Sequence, residues 1–355
     1  MRVKVAECAS LFWDDGRLVW DGFLDQRQHA LTPDSEILLR WFSTWRDLDS
    51  VSDLGEGHLR VAERLVEAGV LIAENSPEHR REERILSRWG SWGAAARHLH
   101  FSTRTLTGTR YAAHEQDVEA MREQVRRDPP PAYATARPDR PLTRLPTGGG
   151  ADAPWPRADL VSTLLGRRSV RRFAPEALGL AELAALLQVA GGILEVRDGL
   201  GTGPAVFKTS PAAGAWHPIE LHVHARRVDG LEPGVYHYAP TRGGLEPAPA
   251  PAAEVDPLDA LGGQPWLAEA PVLILFTGVI ERSAWRYATA RAYRDMLIGL
   301  GHVSQTTLLT ATAMGLGSVF ATAVCDEDLE RLAGVDPVEE VLLGVTAVGR
   351  PAPGA

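Results

Sequence analysis

Four arginines and a serine fall within six residues, Arg167, Arg168, Ser169, Arg171 and Arg172, in the stretch LLGRRSVRRF. Guanidinium groups on a turn can fork onto a phosphate or polarise a planar carbonyl, and the Ser169 hydroxyl can add a hydrogen bond. A solvated run of charge is the plainer reading, and composition alone favours it. The chain carries 37 basic and 46 acidic residues, net −9, which argues against a general nucleic-acid or membrane-surface binder. The cluster therefore stands against the average. Two further stretches suit a flat ligand. In FKTSPAAGAWHPIELHVHA, residues Pro211, Ala212, Ala213, Gly214 and Ala215 form a loop poor in side chains, where a backbone can approach closely and present N–H groups. In TATAMGLGSVFATAV, Gly315, Gly317 and Ser318 turn a helix into a strand. Either glycine loop alone is a weak signal, more often just a turn.

These residues need positioning elements. ADLVSTLLG predicts a helix with Leu160, Leu164 and Leu165 as its buried face, loosened at Gly166, so that the arginines emerge where the chain turns. The next segment predicts a helix with Leu180, Leu183, Leu187 and Ala190 on one stripe. After the Pro211 loop, alternation predicts a strand with Leu221, Val223 and Ala225 on one face. The third loop closes a long Ala/Thr helix at Gly315.

Three regions separate by composition: 1–125, a Pro/Gly-rich connector over 126–156 that reads as extended over the surface, and 157–355. The first region opens with Asp15-Gly16 between apolar runs, a hairpin signal. Thr32-Pro33 opens a helix bearing Ile37, Leu38, Trp41 and Phe42. A second helix carries Leu59, Ala62, Leu65 and Val66, stops at Gly69, and leads into the short strand VLIA. Hairpin, helices and closing strand outline a winged-helix-like module. Two roles stay open for it: simple packing, or docking of a peptide on a strand edge or helix groove. A further helix starts at Ser76-Pro77. Its Trp89, Trp92, His98, His100 and Phe101 read as seating it against the main domain; the two histidines lack a third ligand, so no metal is expected.

Cys8 and Cys325 are the only cysteines, which gives no disulfide framework and makes a reducing cytoplasm the simplest compartment. The first residues show no signal peptide, and no apolar run reaches membrane-span length.

Taken together and in this order, RRSVRRF, PAAGA and GLGS resemble the nitroreductase superfamily of flavin enzymes, over roughly Asp159 to Pro351. More finely, SPAAGAWHPIELHVHA, GLEPGVYHYAPTRGGLEP, ERSAWRYATARAYRDMLIGLGHVSQTTLLTATAMGLGS and DEDLERLAGVDPVEEVLLGVTAVGRP are similar to SagB-type dehydrogenases. Those are FMN-dependent oxidases of thiazole/oxazole-modified peptide biosynthesis. The resemblance implies an α+β nitroreductase-like fold, FMN as cofactor, and a homodimer holding FMN between subunits, with the helix Gly301 to Met314 in that interface. It implies a precursor peptide as substrate and a cyclodehydratase as partner.

The same resemblance assigns residues. Arg167, Arg168, Ser169 and Arg171 fall on the FMN signature, serving phosphate, ribityl chain and pyrimidine. Pro211, Ala212, Ala213 and Gly214 match a Pro-Ser-Ala-Gly loop at the ring edge. Its serine is Ala212 here, so that hydrogen bond is missing or comes from Ser210. Gly315, Leu316, Gly317 and Ser318 match the second loop, and Arg350 a basic phosphate position. A catalytic Lys-Tyr pair becomes Arg286-Tyr287. Lysine can lose its proton when desolvated, whereas arginine effectively cannot. Tyr287 is then the candidate for proton transfer, with Arg286 holding it, favouring its charged form, or binding a substrate carbonyl or helix end. Three other readings stand beside azoline dehydrogenation: an NAD(P)H-dependent nitro or quinone reductase, a degenerate flavoprotein scaffold, and an oxidase of another peptide-bound residue.

Overall fold

Caps written in the sequence start the helices. The Thr32 hydroxyl accepts from Ser35 N–H at 3.2 Å, Ser76 accepts from His79 N–H at 3.1 Å, and Asp159 from Ser162 N–H at 2.7 Å. The structure is a computed structural model that describes residues 1–55, 57–146, 157–199, 201–251 and 255–354. The chain divides into two units, Met1–Arg110 and Tyr111–Ala355.

The first unit runs β1 (Arg2–Val5), β2 (Ser10–Asp14), β3 (Arg17–Gly22), β4 (Arg27–Ala30), α1 (Pro33–Trp41), β5 (Arg46–Asp47), α2 (His58–Glu67), β6 (Leu71–Ala73), α3 (Pro77–Trp89) and α4 (Gly93–Ser102). Asp15 and Gly16 both take positive φ, 44° and 72°, as a two-residue hairpin turn between twisted strands requires. That hairpin belongs to a β2–β3–β4 meander, while β1 lies between β5 and β6. Val3, Leu38, Phe42, Val51, Ala62, Leu65 and Leu71 form the core. The rings of α3 and α4 pack against one another and against Phe23 within this unit. Trp89 lies 5.5 Å from Phe101, and His98 lies 5.2 Å from Phe23.

The second unit runs α5 (His114–Arg127), β7 (Thr143–Arg144), α6 (Leu160–Gly166), β8 (Leu178–Gly179), α7 (Leu180–Gly191), β9 (Glu195–Asp198), β10 (Pro204–Phe207), β11 (Ile219–Ala225), β12 (Val228–Asp229), β13 (Gly234–Ala239) and β14 (Gly244–Pro247). It continues through α8 (Pro257–Ala260), α9 (Pro265–Glu269), β15 (Val272–Val279), α10 (Ile280–Arg286), α11 (Ala292–Ala313), β16 (Gly317–Ala321), α12 (Asp326–Ala333) and β17 (Glu340–Gly349). Seven strands form one antiparallel sheet in the order β16-β17-β15-β11-β13-β14-β7. Alternation sends Leu221, Val223, Ala225, Ile274 and Phe276 into a core with Leu183 and Leu187 of α7 and Met296 and Leu300 of α11. The fold is the expected α+β type.

Three details depart from the sequence reading. Helix α5, grouped with the first region, belongs to the second unit: Gln124 donates to the Trp285 carbonyl and Asp117 pairs with Arg286. The Pro-rich stretch is built into the second unit rather than laid over it. Its β7 pairs with β14, Ala134 and Leu145 are buried, and its backbone N–H groups at Thr135 and Arg137 donate to Glu220 and Glu246 at 3.0 Å. The end of that stretch, 147–156, lies outside the described residues. Finally, Leu160, Leu164 and Leu165 of α6 face solvent, 66%, 48% and 71% exposed; the seven-residue helix buries Thr163 instead.

Candidate active site

Helix α11 ties the site together. At its middle, the Ser210 and Thr306 hydroxyls are hydrogen-bonded at 2.7 Å, and the His302 ring meets the Pro211 carbonyl at 3.2 Å. At its end, Gly315 takes φ +73° and Leu316 N–H donates to the Ala311 carbonyl, which lets the chain leave the helix into β16. Thr306 and Ala313 are seven residues apart, about 10 Å along the axis. Two of the three sequence loops are thereby fixed to one rigid rod.

The third stretch meets the end of that rod. Val170 N–H donates to the Ser318 carbonyl at 3.0 Å, and Ser169 bridges Ser318. A Cβ on Gly317 would approach Val170 to 2.7 Å, so glycine is needed for this close passage. Arg167 and Arg171 have no carboxylate within 4.0 Å among the described residues; the guanidinium of Arg171 lies 5.5 Å from the Trp266 ring centre. Arg168 donates to the Leu165 and Arg167 carbonyls at 2.8 Å and so caps the C-terminal end of α6. Ser318 Oγ is buried without a hydrogen-bond partner. Uncompensated guanidinium groups on a stretch whose backbone bridges Ser318, with its buried, unsatisfied hydroxyl, fit an anionic, hydrogen-bonding group such as the phosphate end of FMN.

The Pro211 loop carries backbone strain. Gly214, Ala215 and His217 adopt φ of +56°, +59° and +41°, unusual for the two that carry side chains. A Cβ on Gly214 would come within 2.6 Å of the Tyr287 hydroxyl, which places that hydroxyl directly on the loop. Trp216 rests on Trp285 at 4.8 Å between ring centres. Arg286 bonds Asp117 at 2.6 Å and lies 4.8 Å over the Tyr287 ring. Both expected catalytic residues thus sit together at the end of α10.

Some assignments take other partners. Ser210 is buried against α11, so it anchors the loop and does not replace the hydroxyl missing at Ala212. Leu316 is a core residue, leaving only its backbone to the loop. Arg350 donates to both oxygens of Glu182 at 3.0 Å, a protein anion rather than a ligand's.

The sequence reading overlooked the other face of the strand it had identified. Glu220 and His222 alternate with Leu221 and Val223, and they enter a buried ionic layer. Glu220 pairs with Arg282 at 2.6 Å and with His237 at 3.3 Å, and His237 reaches Glu246 at 3.2 Å. Burial pushes the Glu220 carboxyl up, but Arg282 and His237 outweigh it and hold it well below the usual carboxylate range. Burial pushes the His222 imidazole below its usual value, and its Nε2 is bonded to Glu340 at 2.9 Å. Lys208 borders the same loop, beside Pro211, Ala212 and His217. Burial, with Arg282 adding to it, pushes its ammonium below the usual lysine range. A basic residue three positions before Pro211 was the available signal.

Residues 164–350 match the family model described as the nitroreductase family, just over half of the chain. This chain belongs to the nitroreductase family. As a nitroreductase-family chain, its second unit is that of a flavoprotein oxidoreductase. Among curated proteins, it is 33% identical over 191 residues to a Methanocaldococcus jannaschii protein named as a nitroreductase, MJ1384, covering 54% of this chain and 90% of that protein. It is 30% identical over 180 residues to the trifolitoxin-processing protein TfxB of Rhizobium leguminosarum bv. trifolii, covering 50% of this chain and 48% of TfxB. Among solved structures, one named as a nitroreductase from Ralstonia eutropha superposes with a TM-score of 0.47 at 21% identity, covering 62% of this chain and 93% of that one.

Proposed function

We propose that this protein is an FMN-dependent dehydrogenase that oxidises thiazolines or oxazolines in a ribosomally made peptide to thiazoles or oxazoles. The observation that carries the reading is the Tyr287 hydroxyl lying on the Gly214 loop of a nitroreductase-family chain. The likeness to TfxB, named for processing a trifolitoxin, supports a peptide substrate. When bound, FMN supplies a two-electron acceptor that takes hydride from a ring carbon, and oxygen restores it. Arg167, Arg171, Ser169 and Ser318 hold its phosphate end, with Arg168 shaping the turn. Pro211 to Gly214 and Gly315 to Gly317 bring backbone against its ring. Tyr287 handles the proton lost from the neighbouring carbon. Arg286, held by Asp117 and lying over the Tyr287 ring, orients Tyr287. Lys208 is a second group at the loop able to hold or release a proton.

The protein acts as a homodimer in this reading. Leu160, Val161, Leu164 and Leu165 give α6 an apolar face turned to solvent, suited to burial against a second copy. The first unit docks the precursor peptide, and a cyclodehydratase that makes the azoline is the natural partner.

The test uses FMN-loaded protein and a peptide bearing one thiazoline, followed by mass spectrometry under air. Loss of two hydrogens by wild type is expected, with turnover down at least ~100-fold in Tyr287→Phe, the scale of general acid–base catalysis. Equal turnover by the variant removes Tyr287 from the mechanism, and no turnover by wild type favours a scaffold. A second reading, an NAD(P)H-dependent nitro or quinone reductase, is favoured by the near-complete coverage of MJ1384. Rapid NADPH oxidation with a nitroaromatic acceptor, indifferent to peptide, would select it.

A further inference from the structure

A polar cavity outside this site lies in the first unit. It has a volume of about 460 Å³ and opens between the β3–β4 turn, the C-terminal end of α2 and the first turns of α3. Two of its lining side chains are almost wholly buried and each leaves a polar atom unsatisfied: Glu82 Oε1 and Trp20 Nε1. The other Glu82 oxygen accepts from Cys8 N–H at 2.8 Å, which fixes the carboxylate in place. Lys4 Nζ stands 3.9 Å from Oε1, beyond hydrogen-bond length, and is bonded to Glu7.

Charge on the lining favours a cation. Asp25, Glu67, Glu78 and Glu82 face Arg27 and Arg81, and Arg81 is bonded to Asp25 at 2.7 Å. Helix α2, ten residues long, ends at the cavity with the negative pole of its dipole. Burial pushes the Glu82 carboxyl up, so an incoming cation that bonds Oε1 relieves a standing cost.

The two unsatisfied atoms ask for different things. Glu82 Oε1 needs a donor, whereas the Trp20 indole N–H needs an acceptor. A free amine answers the first and not the second. A basic residue within a peptide answers both, with its side chain to Glu82 and a backbone carbonyl to Trp20. Trp20 also borders a second cavity, of about 540 Å³ on the α1 side, where Ser10 Oγ is likewise buried without a partner. An extended chain could therefore continue past the indole.

We propose that this cavity is a recognition pocket for an arginine or lysine of the docked peptide, with Glu82 as its counter-charge and Trp20 bonding the adjoining backbone. The inference rests on the reading that the first unit docks the peptide, and it names what that unit would recognise.

The test is calorimetric titration of the full chain with acetyl-Ala-Arg-Ala-amide and with its citrulline counterpart, which keeps the shape and loses the charge. The arginine tripeptide should saturate and bind at least ~10-fold tighter, as a hydrogen bond to a charged group provides. Glu82→Gln should bring its affinity down to that of the citrulline peptide. Trp20→Phe should weaken both equally. Equal binding of the two peptides by wild type overturns the pocket while leaving peptide docking intact. No saturable binding of the arginine peptide overturns it as well. This arm needs no variant and decides the matter even if Glu82→Gln does not fold. Thiazoline oxidation is read by a separate assay, so failure of the pocket and failure of the proposed reaction remain distinguishable.

Discussion

Two sets of arginines in the second unit differ in their partners. Inside the sheet layer and along α10 they are paired with protein carboxylates: Arg282 with Glu220, Arg242 with Glu246, Arg286 with Asp117. At the turn after α6, Arg167 and Arg171 have no such partner among the described residues. A paired guanidinium is committed to the fold or to orienting a neighbour. An unpaired one, on the stretch that bridges Ser318 with its buried, unsatisfied hydroxyl, can receive a ligand's charge. The difference teaches that arginine content alone does not mark an anion site; what marks it is the missing counter-ion.

Breaking a paired arginine should do the most damage to the fold. Arg282→Met leaves Glu220 charged, buried and short of its nearest cation, at a cost of about 3–5 kcal/mol in denaturant unfolding. A loss under about 1 kcal/mol would place Arg282 with the dispensable charges.

Acid should act on the same layer next. Burial holds His217 and His224 down at about 4, against 6.5 for the free side chain. The unfolded chain therefore binds more protons between those values, and stability falls as pH drops from about 6.5 to about 4. Each histidine contributes up to ~3 kcal/mol over that window. Glu220, Glu246 and Glu340, all held low, add a further loss below the carboxylate range. A melting temperature flat from pH 7 to pH 5 would contradict this.

Arg350→Ala should have the smallest effect. Its guanidinium is bound to the partly exposed Glu182, so FMN affinity should stay within ~3-fold and stability within ~1 kcal/mol. A large loss of FMN affinity would move Arg350 into the unpaired group.

Much of the site was legible because it rests on residue types with few substitutes. Gly214 and Gly317 mark close passages, and the arginines mark the turn. The unread parts depend on partners distant in sequence or on groups with no sequence signature. Asp117 meets Arg286 from 169 positions away. The Pro-rich stretch is held by backbone N–H groups donating to Glu220 and Glu246, which composition does not reveal. The leucines of α6 have the pattern of a buried face, but periodicity does not say whether the same chain or a second copy covers it. Glu220 and His222 look like the polar face of an exposed strand, because alternation separates two faces without saying that both are buried.

The central claim is that the unpaired arginines hold the phosphate of a flavin. Its most direct test compares the Kd of FMN with that of riboflavin, which lacks the phosphate, in wild type and in Arg167→Ala/Arg171→Ala. The account predicts that wild type prefers FMN by at least ~100-fold and that the double variant loses most of that preference, at ~1.5–3 kcal/mol for a hydrogen bond to a charged group. Equal affinity of wild type for the two flavins, or an unchanged preference in the variant, would contradict it.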